Sequence, residues 1–335
     1  LDDVERRGLP AEFALLPYVE SNYAPVRGSE NGPSGIWQLM PRTARDRGIR
    51  IERDYDGRLD LVESTRVALD LIERYDREFG DWRLATMAFN AGEFRIKRAL
   101  TETPANALDA QALSRLKLSA TTHQHLTRML ALACVVDDPA RFGVTLPEPD
   151  ADDALGIVAV DGPIDLRVAA NFAGLSFEEL QQLNAAHLGE RSASVAPHRL
   201  VLPRAHLEPF STSSQAAPLA LRSRWRSMRV PSAVPLEDVA QQVRIDAQSL
   251  AVANGVERTA RLPSGATLLV PEHALGGTHS APVMQARTTH TVASGDTLSA
   301  IARRYGVRIG QLVKWNSLRL DGVLRPGSRL RIGVP

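Results

Sequence analysis

The sequence predicts a mixed α+β chain of several domains, with an all-helical half followed by three copies of a small strand–helix–helix–strand module. Residues 1 to 144 carry apolar residues at helical spacing and almost no strand-like alternation. A turn-rich acidic stretch, Pro147-Glu-Pro-Asp-Ala-Asp-Asp, then changes the composition. After it, one pattern of short helices between extended segments recurs three times, which indicates an internal repeat.

The composition limits the kind of protein that this chain can be. With 335 residues, 44% of them hydrophobic and 24% charged, the chain fits a globular protein of two or more domains. Its net charge of +1 creates no general demand for an anionic partner. The histidines form no metal-ligand pattern, so we expect neither a metal nor another cofactor. The single cysteine, Cys134, lies in an apolar run and is expected to be a buried hydrophobe.

The helical half is predicted from apolar periodicity and from its start and stop signals. Short helices are expected to open at Pro10 and at Pro41, because proline favours the first helical turn. Residues 63 to 79 form an amphipathic pattern that Gly80 ends, and residues 82 to 91 form a nearly all-apolar helix. The apolar residues of a further helix recur at Leu126, Met129, Leu130, Ala133 and Val136.

The stretch from residue 15 to residue 44 carries the candidate chemistry. Glu20 ends an apolar run, a loop rich in Gly, Asn, Ser and Pro follows, and residues 35–41 read Gly-Ile-Trp-Gln-Leu-Met-Pro. Burial of a carboxyl among apolar groups raises its pKa, which suits a proton donor near neutral pH. Since most glutamates at helix ends are ordinary surface residues, the neighbouring motifs decide the interpretation.

Four motifs in register resemble family 1 lytic transglycosylases. They are Glu20-Ser21, the phrase at residues 35–41, Tyr55-Asp56 with Asp60, and Ala-Phe-Asn-Ala-Gly at residues 88–92. The resemblance covers about residues 8 to 146 and implies the soluble-lytic-transglycosylase fold, which is similar to goose-type lysozyme. The Trp in the phrase and the Tyr-Asp-x-Arg-x-Asp segment look like the membrane-bound murein transglycosylase D branch.

The resemblance implies that one carboxylic acid performs both proton transfers. Glu20 would protonate the oxygen between N-acetylmuramic acid and N-acetylglucosamine, and would then accept the proton of the muramic C6 hydroxyl as a 1,6-anhydro ring closes. The implied substrate-binding residues are Ser34, Gln38, Phe89, Asn90 and His125. A turn serine, a helix-surface glutamine and a helix-capping asparagine stay open as alternatives for three of these positions.

Two positions depart from the family pattern. Phe89 replaces a tyrosine whose hydroxyl would contact the acid or the substrate, and His125 replaces a second tyrosine. A missing hydrogen bond in a dry cleft costs about 1–3 kcal/mol, or roughly ten- to hundredfold in rate. Two alternatives therefore stand beside an active transglycosylase. One is a lysozyme-type hydrolase with Glu30 or Glu93 as second carboxylate, and the other is a cell-wall-binding scaffold with an impaired site.

The three repeats resemble LysM modules, which bind N-acetylglucosamine polymers. The third copy is the clearest, because it alone contains Gly-Asp-Thr-Leu, which begins at residue 295. The resemblance implies glycan contacts by Gly295, Asp296, Thr297, Leu298, Asn316, Pro326 and Gly327. Helix capping and turn formation are open alternatives for these residues. The two degenerate copies fit either spacers or weaker binders.

The composition also predicts domain boundaries. The helical lysozyme-like domain is expected at residues 1–146, and the LysM-like modules at 156–204, 223–272 and 288–335. Linkers are expected at 147–155, 205–222 and 273–287.

The expected partner is the glycan of peptidoglycan. From His290 to the C terminus, eight Arg or Lys stand against two acids, which we interpret as a solvated basic face rather than a nucleic-acid site. Because the chain starts at Leu1 without Met, we expect a mature form whose signal peptide has been removed. This places it in the periplasm or cell envelope, with membrane contact only through an N-terminal lipid anchor outside this sequence.

Overall fold

A computed structural model of the chain shows the mixed α+β class that the sequence predicts. It divides into two compact units, Leu1–Ala274 and Leu275–Pro335, which are described separately. The first unit holds the helical half and two modules. The described residues are 1–102, 109–147, 154–195, 197–217, 220, 224–272, 288–293, 296–298, 300–301, 312–313, 316, 318 and 327–332.

The helical half is built from α-helices joined by short loops. Short 3-10 turns lie at Ala11–Leu15 and Ala140–Phe142. Among the described residues, no helix combines the length and apolar character that a bilayer crossing requires. The helices are α1 (Asp2–Arg6), α2 (Leu16–Ser21), α3 (Pro41–Asp46), α4 (Leu61–Phe79), α5 (Trp82–Ala91), α6 (Glu93–Glu102), α7 (Ala110–Arg115) and α8 (Ala120–Asp137).

The two predicted central helices are confirmed, with their ends set by local chemistry. Helix α4 begins after Asp60, whose carboxylate accepts the backbone N–H groups of Val62 and Glu63. It ends at Gly80, which adopts a left-handed φ of 61°. Helix α5 begins after Asp81, which caps it in the same way. These caps fix where α5 starts and therefore where its last turn, at the site, lies.

The core of the helical half is formed where α4, α5 and α8 pack together. Phe13, Leu16, Ile72, Met87 and Met129 are fully buried in it. Removing one such side chain from water contributes about 1.5–3 kcal/mol. Because Leu16 opens α2, the same core holds the short helix that carries Glu20.

The prediction that Cys134 is buried was wrong. Its side chain is exposed, as are those of Leu130 and Val136 on the same helix. Helix α8 is buried through Met129, but its later turns border an open hollow lined by Leu15 and other apolar residues. The apolar residues of α8 therefore extend further along the helix than the part that other helices cover.

The modules contain the predicted antiparallel strand pairs. In the first module β1 pairs with β2, so that Ile157 faces Val201. In the second, β3 pairs with β6 and a short β4–β5 pair is added. The elements of the first two modules are β1 (Leu155–Ala159), α9 (Leu166–Ala173), α10 (Phe177–Leu183), β2 (Arg199–Pro203), α11 (Leu207–Ala216), β3 (Trp225–Arg229), β4 (Val234–Pro235), α12 (Leu236–Gln242), α13 (Ala247–Ala253), β5 (Arg261–Leu262) and β6 (Thr267–Pro271). In the third module, β7 (Thr288–Thr291) pairs with β8 (Arg329–Ile332).

A repeated asparagine explains the shared ending of the second helix in each module. The amide of Asn184 donates to the carbonyls of Leu180 and Val201, and its oxygen accepts from the Val201 N–H. Asn254 makes the same three bonds in the second module. This asparagine therefore fastens the helix to the last strand of the module.

The linker predicted at residues 205–222 is wrong for most of its length. Residues Leu207–Ala216 form α11, which packs against α9. Phe210 is fully buried there, with its ring centroid 6.2 Å from that of Phe172. A single buried aromatic thus anchors a segment whose Ser and Ala content resembles a linker. The other predicted linker, at 273–287, lies outside the described residues.

Candidate active site

Glu20 lies near the end of α2, at a sharp turn of the chain. Its side chain is 14% exposed. The next residues after α2, Asn22 and Tyr23, both have left-handed φ angles, 53° and 57°, which non-glycine residues rarely adopt. Between them and Glu20, the hydroxyl of Ser21 donates to the carbonyl of Ile36 at 2.9 Å. The turn therefore ties the carboxyl group to the segment at residues 35–41.

His125 brings helix α8 into direct contact with Glu20. Its Nε2 lies 2.8 Å from Oε1 of Glu20, and its side chain is 7% exposed. A carboxylate oxygen can only accept, so the tautomer with hydrogen on Nε2 donates this bond when Glu20 is ionised. Among the described residues, no group hydrogen-bonds the buried Nδ1. The carboxyl group is thus held by one polar side chain in a mostly buried place.

The segment at residues 35–41 is locked against the helical body. Gly35 has φ of 84°, and a Cβ there would lie 1.8 Å from the carbonyl oxygen of Arg58. Trp37 is buried and donates from Nε1 to the hydroxyl of Thr65 on α4 at 2.9 Å. Gln38, with φ of 48°, donates from Nε2 to the carbonyl of Gly35 at 2.7 Å. Only glycine therefore fits at position 35.

Ser34 does not lie at the protein surface. Its side chain is fully buried, and its hydroxyl accepts the backbone N–H of Gly28 at 3.0 Å. Its backbone forms a two-bond bridge with Leu39. The expectation that Ser34 orients sugar substituents is therefore replaced by a role in closing the loop at residues 28–39.

Phe89 and Asn90 place the last turn of α5 beside this loop. The ring of Phe89 packs edge-on against Trp37, with centroids 6.2 Å apart. Asn90 is exposed, and its side-chain oxygen accepts a hydrogen bond from the hydroxyl of Thr122 on α8 at 3.1 Å. Thr122 precedes His125 by three residues, on the same face of α8. Helices α5 and α8 thus meet through polar contacts next to the Glu20–His125 pair.

The two rival acids are placed differently from Glu20. Glu93 forms ion pairs with Arg74 and with Lys97, whose Nζ lies 3.1 Å from its carboxylate. Glu30 is an exposed residue of the loop. Glu93 is about as buried as Glu20, with 12% of its side chain exposed, but it is paired with two cations, whereas the partner of Glu20 among the described residues is a single imidazole.

Two contributors to the site were not predicted from the sequence, namely the hydroxyls of Ser21 and Thr122. The signal for Ser21 was its position next to Glu20 in the first motif. For Thr122 it was the three-residue spacing to His125, which puts both side chains on one helix face. Both contacts cross between elements, so the pattern alone did not reveal them.

The glycan candidates of the third module make contacts within that module. Asp296 accepts the N–H of Ala293 at 2.8 Å and lies 2.7 Å from Nε2 of His290. The hydroxyl of Thr297 accepts the N–H of Ala300, as a helix cap does. Leu298 packs on the small core of this module. These contacts favour turn and cap roles for the described part of the motif.

The remaining glycan candidates of that module also make contacts within the module. The amide of Asn316 donates to the carbonyl of Leu312 at 2.9 Å, as its counterparts do in the first two modules. Gly327 has φ of 88° and donates its N–H to Val292. Gly295 and Pro326 lie outside the described residues. The shared bond favours a structural role for Asn316 over a glycan contact.

Comparisons with known protein families match three parts of the chain. Residues 4–111 match the Transglycosylase SLT domain. Residues 154–218 match the lytic transglycosylase MltD LysM-like domain, and residues 290–333 match the LysM domain. The second of these matches extends through α11, in agreement with the packing of that helix on the first module.

One known relative aligns with nearly the whole chain, and another aligns with a short part of it. It is 32% identical over 347 aligned residues to the membrane-bound lytic murein transglycosylase D of Escherichia coli strain K12, and the alignment covers 99% of this chain and 74% of that protein. It is 40% identical over 47 residues to the N-acetylmuramoyl-L-alanine amidase XlyA of Bacillus subtilis strain 168, covering 14% of this chain and 16% of that protein.

Among solved structures, the spore cortex-lytic enzyme SleL of Bacillus cereus overlaps 33% of this chain, with 22% sequence identity in the overlap. The overlap covers 23% of that protein, with a TM-score of 0.14.

Proposed function

The chain belongs to the family of membrane-bound lytic murein transglycosylase D, and on that premise we propose that Glu20 is the acid–base group of its reaction. The activity is that of a peptidoglycan lytic transglycosylase. The bond that we propose it cleaves is the β-1,4 link between N-acetylmuramic acid and N-acetylglucosamine. The observation that carries the assignment is the mostly buried Glu20 carboxyl near the end of α2, within hydrogen-bond distance of His125 on α8.

The proposed reaction uses one carboxyl group twice. Protonated Glu20 gives its proton to the glycosidic oxygen, and the bond from that oxygen to the muramic C1 breaks. The resulting carboxylate takes the proton of the muramic C6 hydroxyl while that oxygen bonds to C1. The product is a 1,6-anhydro end, and Glu20 regains its proton without any water entering.

His125 supports this cycle without taking the proton that is transferred. If its Nε2–H donates to Oε1, the other oxygen of Glu20 is free to carry the proton in the acid state. The same bond stabilises the carboxylate after transfer, when the negative charge is localised. His125 thus takes the place of a family tyrosine hydroxyl, and Phe89 contributes packing against Trp37.

The structure favours a single carboxylate over a hydrolytic pair. A retaining or inverting glycosidase needs a second carboxylate placed across the scissile bond. Glu93 is engaged by Arg74 and Lys97, and Glu30 is an exposed loop residue. Gln38, Asn90 and His125 are the polar side chains that we propose as substrate-binding residues.

We further propose that the enzyme works in the periplasm and that its third module holds it on glycan. The LysM match at residues 290–333 supports peptidoglycan binding, and tethering raises the local concentration of substrate without changing the chemistry. The domain limits proposed from the sequence are kept, except that α11 is included in the first module.

Substitution of the candidate acids tests this assignment. Glu20→Gln keeps the shape of the side chain but cannot transfer a proton, so it should abolish release of muropeptides while peptidoglycan pull-down stays intact. Glu30→Gln and Glu93→Gln are the matched controls and should keep turnover. Full turnover in Glu20→Gln, or its loss in either control, would assign the acid elsewhere.

A further inference from the structure

The segment at residues 54–60 lies between the first LysM-like module and the loop of the active site. Its backbone pairs with the module: the N–H of Asp56 donates to Ala186 at 2.9 Å, and the N–H of Leu188 donates to Asp54 at 3.0 Å. An isolated antiparallel bridge joins Tyr55 to His187. The module is therefore bonded to the helical half as an added strand would be.

Side chains close the same interface. Arg199 of β2 donates from Nη2 to both oxygens of Asp60, at 2.9 and 3.0 Å. The hydroxyl of Tyr55, itself 1% exposed, donates to Asp60 at 2.7 Å. Burial, followed by the nearby Asp60 charge, raises the pKa of Tyr55, so this hydroxyl stays a donor. The carboxylate that begins α4 is thus shared by both domains.

From this segment, Arg58 reaches the active-site loop. Arg58 is 3% exposed, and its guanidinium is held by two bonds to the carboxylate of Asp56, at 2.9 and 2.7 Å. Its Nη1 donates to the carbonyl of Gly32 at 2.7 Å. Its own backbone carbonyl is the atom that excludes any side chain at Gly35. Asp56 therefore bonds the module through its backbone and the loop through Arg58.

We propose that the first LysM-like module is a positioning element of the active site, acting through Arg199 and the 54–60 segment to hold the loop that carries Gly32, Gly35 and Gln38. Arg199 and Arg58 are positioning residues in this account, since both act through other groups. The inference rests on the proposed function, because Gln38 matters to turnover only if the cleft binds glycan.

In this role the first module differs from a simple glycan tether. Its loop at residues 185–194, which precedes β2, is the part that docks on the helical half. Ala186 and Ala193 are buried there with Tyr55 and Leu59. A tether would change how much enzyme sits on peptidoglycan. A brace, by which we mean contacts from the module that hold the loop at residues 28–39 in place, changes the rate of the bound enzyme instead. The reason is that small displacements of a substrate-binding residue lower turnover steeply.

Replacement of Arg199 by methionine tests the brace in the full-length protein. Arg199→Met should lower kcat on soluble, peptide-free glycan strands by roughly ten- to hundredfold, with KM and peptidoglycan pull-down unchanged. Amide exchange should become faster at residues 28–35 and stay unchanged in α5. Arg204→Met, an exposed arginine of the same module, is the matched control and should behave as the parent enzyme.

Three results would overturn the proposal. They are parent-like kcat and exchange in Arg199→Met, a fall in kcat without faster exchange at residues 28–35, and a loss of pull-down with kcat intact. If Arg199→Met does not fold, Arg199→Lys keeps the charge but loses the paired bonds, and should show the same changes at smaller size. Parent-like behaviour of a folded Arg199→Lys would then refute the brace. If the parent enzyme releases no product, the proposed function fails, and amide exchange alone decides the brace.

Discussion

The imidazole Nε2 of His125 lies 2.8 Å from Oε1 of Glu20, a contact between residues 105 positions apart. It joins the end of α2 to the second turn of α8, and both side chains are mostly buried. The contact supplies the carboxyl group with a hydrogen-bond partner from α8. The absence of a tyrosine at residue 89 is therefore compatible with a working acid.

Loss of the imidazole should slow the reaction. His125→Phe removes a hydrogen bond to a buried carboxyl group, which costs about 1–3 kcal/mol and lowers kcat by roughly ten- to hundredfold. His125→Tyr restores a hydroxyl donor and should retain more activity than the Phe variant. Steady-state turnover on soluble glycan strands measures both.

His123→Phe is the control for that series. His123 lies on the same helix but contacts the carbonyl of Leu116 rather than Glu20. It should lose stability by about 1 kcal/mol and keep parent-like kcat. Equal losses of kcat in the two Phe variants would show that the effect comes from damage to α8 and not from the bond to Glu20.

Glycine at residue 35 is required by space as well as by backbone angle. Gly35→Ala should destabilise the enzyme by about 2–5 kcal/mol, because the new Cβ meets the Arg58 carbonyl and φ is positive. Gly48 has a similar φ of 81° but open surroundings. Gly48→Ala should therefore cost only about 1–2 kcal/mol. Denaturant unfolding compares the two variants, and equal losses would contradict the close approach at residue 35.

The interface of the first module should weaken in mild acid. Burial lowers the pKa of His187 below its ordinary value of about 6.5, with Asp60, Arg199 and Asp54 as the charged neighbours. Its Nδ1 accepts the N–H of Ala193, which requires an unprotonated nitrogen. The unfolded chain binds the proton more readily, so this contribution is present above about pH 6.5 and is lost as pH falls through the folded-state pKa.

Thermal unfolding measured from about pH 7.5 down to about pH 5 should show this loss. His187→Asn keeps an acceptor near Ala193 but removes the titration, so its Tm should fall less over the same range. Since other carboxylates titrate in both proteins, the difference between the two curves is the quantity of interest. Identical curves would assign the acid sensitivity to groups other than His187.

Local features of the fold were predictable from sequence because they depend on neighbouring residues. The spacing of apolar residues in α4 and the stop at Gly80 predicted that helix, and the repeated strand and helix pattern predicted the modules. The burial of α11 was not predictable, because it depends on one aromatic side chain, Phe210, meeting α9 far away in sequence. The exposure of Cys134 was missed for a related reason, since the end of the helical bundle is set by its neighbours.

In the site, too, features that depend on neighbouring residues were predictable and features that depend on packing were not. Glu20 was proposed as the acid from motifs in register, which record which residues occur together. The bond to His125, the burial of Ser34 and the reach of Arg58 to Gly32 depend on how helices and loops pack. The Tyr-Asp-x-Arg-x-Asp segment was recognised as a family marker, but its position between module and loop is visible only in three dimensions.

The chemical identity of the product tests the proposed reaction most directly. Purified murein digested by the enzyme in heavy-oxygen water should yield muropeptides with 1,6-anhydro ends that contain no solvent oxygen, because the muramic C6 oxygen displaces the leaving sugar. Mass spectrometry distinguishes these from hydrated products. Reducing ends that carry heavy oxygen at C1 would contradict the account, since they require water as the nucleophile and a hydrolase in place of a transglycosylase.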